Sequence, residues 1–156
     1  MMCNQLAVPA AEGNRSSTFQ FSEWMRWADS TRHNCINHPG VYLLGKFEVL
    51  PPSPTSCLDK NVIYVGETVD QSLEKRLYQF ARSAFQRKYG HSGGWTFSDD
   101  FLSGVEQDHA PPWLFVAVLP VTLKEPRRSA YIRFVERVII WEYVQRWNEA
   151  PACNRK

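Results

Sequence analysis

Residues 40–44 read Gly-Val-Tyr-Leu-Leu, and residues 62–66 read Val-Ile-Tyr-Val-Gly. Both runs are short, apolar and rich in β-branched or aromatic side chains, a pattern typical of strands. The segment between them contains residues 51–61 and begins with three prolines in four residues. Because proline cannot donate a hydrogen bond within a sheet, this segment predicts a loop that joins two antiparallel strands.

Each of these strands carries a tyrosine between apolar neighbours, Tyr42 in the first and Tyr64 in the second. Side chains alternate between the two faces of a strand, so each phenol points away from its neighbours. If the strands pair, both phenols can point to the same side of the sheet. Taken alone, two half-buried structural tyrosines are the simpler interpretation.

The rest of the chain supplies further elements. Apolar residues at helical spacing predict helices, and a continuous apolar run predicts a buried strand. We expect helices over residues 22–29, 71–88, 98–105 and 129–147, and a third strand over residues 113–121. This order predicts an α+β fold with a small three-stranded, mainly antiparallel sheet flanked by helices. The small, polar residues 1–18 predict a loose arm, and residues 19–156 predict a single domain.

The composition limits the classes of protein to consider. The chain has 156 residues, of which 44% are hydrophobic, and a formal net charge of +2. It can therefore build a packed core, and its charge is too mild to indicate nucleic-acid binding by itself. No apolar run approaches the ~20 residues that span a bilayer, and the N-terminus lacks the pattern of a signal peptide. We expect a cytoplasmic protein with no membrane partner.

Two charged residues lie within the apolar stripes of predicted helices. Arg76 borders a stripe that includes Leu73 and Phe80, where its planar guanidinium either lies over the core or reaches an anion such as phosphate. Glu136 lies between Ile132 and Ile139. A carboxylate in such a place costs several kcal/mol unless it is paired or bound to a metal. An ion pair with a neighbouring arginine and a site for Mg²⁺ both fit this pattern.

Together these residues resemble the GIY-YIG nuclease superfamily. Its first element is matched by Gly40-Val41-Tyr42 and its second by Tyr64-Val65-Gly66. Its helix arginine is matched by Arg76, its helix glutamate by Glu136 and its terminal P-x-x-N by residues 151–154. Five weak elements in the right order make a specific pattern, which covers about residues 39–154. A coincidental match would instead leave the tyrosines, Arg76 and Glu136 scattered in space.

The resemblance implies a stand-alone catalytic domain that hydrolyses DNA with one divalent cation, Mg²⁺ or Mn²⁺. Glu136 would hold the cation, Arg76 would hold the scissile phosphate, and Asn154 would orient a neighbour by hydrogen bonding. Either Tyr42 or Tyr64 would position or deprotonate the attacking water, and which of them does so stays open. Products with 5′-phosphate and 3′-hydroxyl ends are also implied.

Two positions depart from the family pattern. Position 80, one turn after Arg76, is Phe where many members have His or Tyr, and Glu67 adds a negative charge beside a phosphate site. Tyr78 and His91 are the candidate substitutes at the first position, although neither has the same helical phase. These departures favour an alternative function, a catalytically inactive nucleic-acid-binding or assembly module that retains the GIY-YIG fold.

Basic residues cluster along the predicted helix 71–88 and the loop after it. Such residues can follow a phosphate backbone without reading its sequence, and a solvated helix face is the alternative. The candidate nucleic-acid contacts are Lys75, Arg76, Arg82, Arg87, Lys88 and His91. Specificity would come from the loops, from a partner subunit or from a second copy of the chain.

Overall fold

A computed structural model describes residues 15–155. Most of the predicted loose arm, residues 1–14, lies outside the described residues. The end of that segment, Arg15–Thr18, forms a short 3-10 helix. The backbone N–H groups of Arg15 and Ser16 donate to the carboxylate of Glu142 at 2.8 and 2.9 Å. These two bonds hold the short helix against the last long helix of the chain.

The sheet is antiparallel and has four strands, in the order β1-β4-β2-β3. The strands are Met25–Arg26 (β1), Gly40–Lys46 (β2), Val62–Thr68 (β3) and Leu114–Pro120 (β4). The predicted α+β class is confirmed, but the expectation of three strands was wrong because β1 adds a fourth at one edge. The opposite edge is β3.

The segment that contains β1 was expected to be a helix over residues 22–29, and this prediction was wrong. Ser22 is bound to the edge of β4, since its backbone N–H donates to the carbonyl of Val118 at 2.8 Å and its hydroxyl accepts from the backbone N–H of Val118 at 2.9 Å. The next residues alternate, with Trp24 packed on one core and Met25 on the other. Only Trp27–Arg32 becomes helical, and that helix is of the 3-10 type.

Three α-helices cover the two faces of the sheet. Leu73–Gln86 (α1) and Ser92–Phe101 (α2) pack on the face that carries Tyr42, whereas Arg127–Trp147 (α3) packs on the opposite face. The core on the α3 side joins strand and helix residues such as Leu43 and Ile139. Across residues 15–155, no helix has both the length and the apolar composition needed to cross a membrane.

The second helix begins earlier than its sequence predicts. We expected a helix stop and a flexible loop over residues 89–94 and a helix over 98–105, but α2 covers Ser92–Phe101. Two glycines permit this earlier start, because α2 approaches its neighbours too closely there for a larger side chain. A Cβ at Gly93 would lie 2.6 Å from the Tyr64 ring, and one at Gly94 would lie 2.7 Å from the Cβ of Ser83. These glycines serve close packing of α2 against α1 and the sheet, and they do not form a flexible loop.

Candidate active site

The two strand tyrosines share one face of the sheet. Tyr42 pairs with Gly66 and Leu44 pairs with Tyr64, so the phenols stand diagonally across the two strands with ring centroids 5.8 Å apart. Gly66 makes this possible, because a Cβ there would lie 2.3 Å from Cζ of Tyr42 and 2.5 Å from Cε1 of Tyr64. The glycine of the second motif element is therefore required by the close approach of two rings.

His91 contacts the more deeply buried of these tyrosines. Its Nε2 lies 2.6 Å from the hydroxyl oxygen of Tyr42, and both residues are buried. Its Nδ1 accepts a hydrogen bond from the backbone N–H of Gly94 at 3.1 Å. Because Nδ1 is an acceptor, the proton of the neutral ring is assigned to Nε2, which then donates to Tyr42. Burial, with the nearby Arg76, lowers the pKa of His91 to about 3, so the ring is neutral at physiological pH.

His91 was predicted from the sequence as a nucleic-acid contact. In the structure its side chain is only 3% exposed and belongs to the tyrosine cluster instead. It caps the N-terminus of α2, and that cap brings it to Tyr42 from 49 residues away. No pattern of period 2 or 3.6 relates the two positions, so the sequence points to His91 only as a candidate substitute for the His or Tyr that many family members have at position 80.

Arg76 extends from α1 beside the tyrosines. Burial raises the pKa values of Tyr42 and Tyr64. The Arg76 guanidinium acts to lower both values, so it lies close to both hydroxyls. Its Nη1 donates to the amide oxygen of Gln79 at 3.2 Å, and Gln79 is fixed by a reciprocal amide pair with Gln71 at 2.9 and 3.2 Å. Its Nε is buried without a hydrogen-bond partner among residues 15–155.

Glu136 reaches the same region from α3, on the other side of the sheet edge. Its charge contributes to the raised pKa of Tyr64, which shows that the two side chains are near each other. Burial raises the pKa of Glu136, the Arg137 guanidinium opposes this shift, and the charge of Glu67 adds to it. The Glu136 side chain is 18% exposed, and its ion pair with Arg137, at 3.2 Å, is to a side chain that is 84% exposed.

Glu67, which was predicted from the sequence to lie beside the phosphate site, also acts on Glu136, because its charge helps to raise the pKa of that residue. It lies on β3 directly after Gly66 and faces the α3 side of the sheet. One of its carboxylate oxygens, Oε2, is buried without a hydrogen-bond partner in the described part of the chain. The charge of Glu67 raises the pKa of Glu136, and a bound cation would relieve such repulsion between two partly buried carboxylates.

Asn154 fixes the edge strand on which Tyr64 lies. Its side-chain Oδ1 accepts from the backbone N–H of Val65 at 2.8 Å, and its Nδ2 donates to the carbonyl of Val65 at 2.9 Å. Since β3 is an edge strand, the amide supplies the two bonds that a further strand would make. The terminal P-x-x-N thus holds Val65 between Tyr64 and Gly66.

The donors available for a metal ion are few. Within residues 15–155, no three His, Cys, Asp or Glu side chains lie close enough together to hold an ion. The carboxylates of Glu67 and Glu136 are the donors near the tyrosine and arginine cluster. A set of one or two carboxylates suits Mg²⁺, which keeps several waters and uses substrate oxygens.

The candidate nucleic-acid contacts differ in their availability. Lys75 and Lys88 are exposed, and Arg82 is half-buried with its guanidinium 6.0 Å from the centroid of the Tyr78 ring. Arg87 is engaged within the protein, because it donates to Asp99 at 2.9 Å. Two cavities of about 460 and 510 Å³ are lined by residues other than Tyr42, Tyr64, Arg76 and Glu136, and Lys75 lines the smaller one.

The chain was compared with models of protein families, with curated proteins and with solved structures, and it matches none of them.

Proposed function

We propose that this chain is a divalent-metal-dependent endonuclease that hydrolyses DNA phosphodiester bonds at a GIY-YIG-type site. The observation that carries the proposal is the convergence of Tyr42, Tyr64, Arg76 and Glu136, which come from β2, β3, α1 and α3. A coincidental resemblance gives no reason for four distant positions to meet. Asn154 supports the same cluster through Val65.

Arg76 is suited to hold the scissile phosphate. Its Nε is buried and unpartnered in the described residues, and none of the described carboxylates forms an ion pair with it. A guanidinium in this condition favours an anion, and its planar fork matches the geometry of phosphate. Gln79 orients the group, since it holds Nη1 from the side. Positive charge at this point also offsets the charge that develops in phosphoryl transfer.

Glu136 and Glu67 are suited to hold the cation. The fit rests on the buried, unpartnered Oε2 of Glu67 and on the repulsion between the two charges. When bound, a divalent ion would polarise a phosphate oxygen and stabilise the leaving oxygen. Burial raises the pKa of Glu136 above its ordinary value of 4.5. Its carboxylate therefore ionises, and becomes available to a metal, at a higher pH than an exposed glutamate does.

Tyr64 is better placed than Tyr42 to meet the attacking water. Tyr42 is 0% exposed, its oxygen accepts from His91, and burial raises its pKa well above 10. Tyr64 is partly exposed, and its pKa is about 12 because burial outweighs the opposing effect of Arg76. We assign Tyr64 to orient the water, and Tyr42 with His91 to fix the position of Tyr64.

The alternative function is a nucleic-acid-binding or assembly module that retains the fold without turnover. One observation favours it. Burial moves the pKa values of Tyr42, Tyr64 and His91 away from neutrality, and a general base works best with a pKa near the working pH. Under this alternative, the same cluster would bind a phosphate without cutting beside it.

Cleavage of supercoiled plasmid separates the two functions. The purified chain with Mg²⁺ or Mn²⁺ is expected to nick the plasmid, and Glu136→Gln is expected to nick about 10²–10³-fold more slowly. Glu106→Gln removes an exposed carboxylate on a loop and serves as the matched control, with wild-type activity expected. Nicking that survives in Glu136→Gln would contradict the proposed site. A folded chain that binds DNA but never nicks it would support the alternative.

A further inference from the structure

The loop between α1 and α2 carries an aromatic residue that does little for the fold. Tyr89 is 94% exposed, which is far more than any core tyrosine of the chain. Its ring centroid lies 5.9 Å from that of Trp95, a residue of α2. The Trp95 ring also lies 4.4 Å from the Arg87 guanidinium. Tyr89 therefore extends this group of planar side chains out into solvent, with its ring tilted by 45° to that of Trp95.

Side-chain hydrogen bonds fix the two residues that come directly before Tyr89. The Arg87 guanidinium donates to the hydroxyl of Ser98 and to the carboxylate of Asp99, both at 2.9 Å. The hydroxyl of Ser83 donates to the carbonyl of Lys88 at 2.7 Å, which fixes the residue directly before Tyr89. The backbone that carries Tyr89 is therefore already ordered, which reduces the conformational entropy lost when the ring binds a partner.

Charge around Tyr89 suits a polyanion. Lys88 is exposed beside it, and the carboxylate of Asp99 is paired with Arg87. The loop also lies close to the candidate active site, since Tyr89 is two residues from His91 and two residues of chain span at most about 7 Å. An exposed aromatic ring with cationic neighbours is the arrangement that proteins use to bind single-stranded nucleic acid.

We infer that Tyr89 is a stacking platform for an unpaired nucleobase near the scissile phosphate. Within a duplex, both faces of each base are covered by its neighbours, so an exposed ring has no face to stack on. An unpaired nucleotide offers that face whatever its sequence. The inference rests on the proposed nuclease function and assigns it a substrate class, DNA that carries unpaired nucleotides beside the cleaved bond.

Binding measured without divalent metal tests this platform. The probes are a blunt DNA duplex and the same duplex with a short single-stranded flap that contains 2-aminopurine. Tyr89→Ala is expected to bind the flap substrate about 5- to 100-fold more weakly and to lose the quenching of 2-aminopurine, with duplex binding unchanged. Tyr89→Phe keeps the ring and is expected to behave as wild type. Trp141→Ala removes another exposed aromatic side chain, 61% exposed on α3, and is the matched control.

Several outcomes would overturn the inference. They are equal losses on both probes, a Tyr89→Phe variant that behaves like Tyr89→Ala, a similar loss in Trp141→Ala, and no binding of the flap substrate by wild type. The fate of the nuclease proposal is read separately, from cleavage of the flap substrate and nicking of plasmid with Mg²⁺ or Mn²⁺. Tyr89-dependent flap binding by a chain that cuts neither the flap substrate nor the plasmid would refute the nuclease proposal alone. Glu136-dependent nicking with no effect of Tyr89→Ala would refute the platform alone.

Discussion

His91 is expected to make this fold sensitive to acid. Burial and the nearby Arg76 lower its pKa from 6.5 to about 3. The folded state therefore binds this proton less readily than the unfolded chain, so the contribution is complete above pH 6.5 and is lost as the pH falls toward 3. One pKa unit corresponds to 1.36 kcal/mol. Between pH 6.5 and pH 4 the free energy of unfolding should fall by about 3 kcal/mol because of this group alone.

Urea unfolding, followed by tryptophan fluorescence at pH 7 and pH 4, measures the effect. His91→Gln retains an amide that can donate to Tyr42 but has no proton to gain. The difference in unfolding free energy between the two pH values should therefore be about 3 kcal/mol smaller in this variant than in wild type. Carboxylates elsewhere in the chain contribute equally to both proteins and cancel.

His109→Gln, which removes an exposed histidine outside the tyrosine cluster, is the matched control. The reasoning fails if wild type and His91→Gln lose the same free energy on acidification. It also fails if nitrogen chemical shifts place the neutral proton of His91 on Nδ1, because the bond from Gly94 requires Nδ1 as an acceptor.

Three further predictions concern other residues of the candidate site. Gly66→Ala places a Cβ 2.3 Å from the Tyr42 ring, so urea unfolding should show a loss of about 1–3 kcal/mol and plasmid nicking should slow; an unchanged variant would refute the close approach. Asn154→Ala removes two bonds to Val65 and should cost about 1–2 kcal/mol and speed hydrogen exchange of the Val65 amide, whereas unaltered exchange would contradict its role on the edge strand. Glu67→Gln should weaken Mn²⁺ binding measured by calorimetry, and affinity equal to wild type would exclude it as a donor.

The elements with strong periodic patterns are predictable from the sequence. The strand pair β2 and β3, the helices α1 and α3 and the strand β4 all lie within a few residues of their predicted bounds. The errors fall where tertiary contacts decide the structure. A two-residue strand has no period, and β1 is aligned instead by the two bonds between Ser22 and Val118. The start of α2 was missed because Gly93 and Gly94, which indicate a loop by propensity, are needed for close packing.

The candidate site divides in the same way. Strand alternation is enough to predict that Tyr42 and Tyr64 share a face, and helical spacing is enough to place Arg76 at the border of the core. The contact of His91 with Tyr42 and the nearness of Glu67 to Glu136 depend on how separate elements pack. Charge repulsion between two carboxylates is a property of their distance in space, which no sequence spacing reveals.

Position 80 shows how packing changes the meaning of a departure from the family pattern. Phe80 cannot form a hydrogen bond with a phenol. By itself, this residue favours the alternative of a catalytically inactive module. In the structure its ring meets that of His91 edge-on, with centroids 5.3 Å apart and planes at 90°, and it stacks near Tyr64 with centroids 6.4 Å apart. The apolar ring thus supports the imidazole that bonds to Tyr42. A polar partner for Tyr42 is therefore present but comes from the cap of α2, so Phe80 no longer counts against the nuclease proposal.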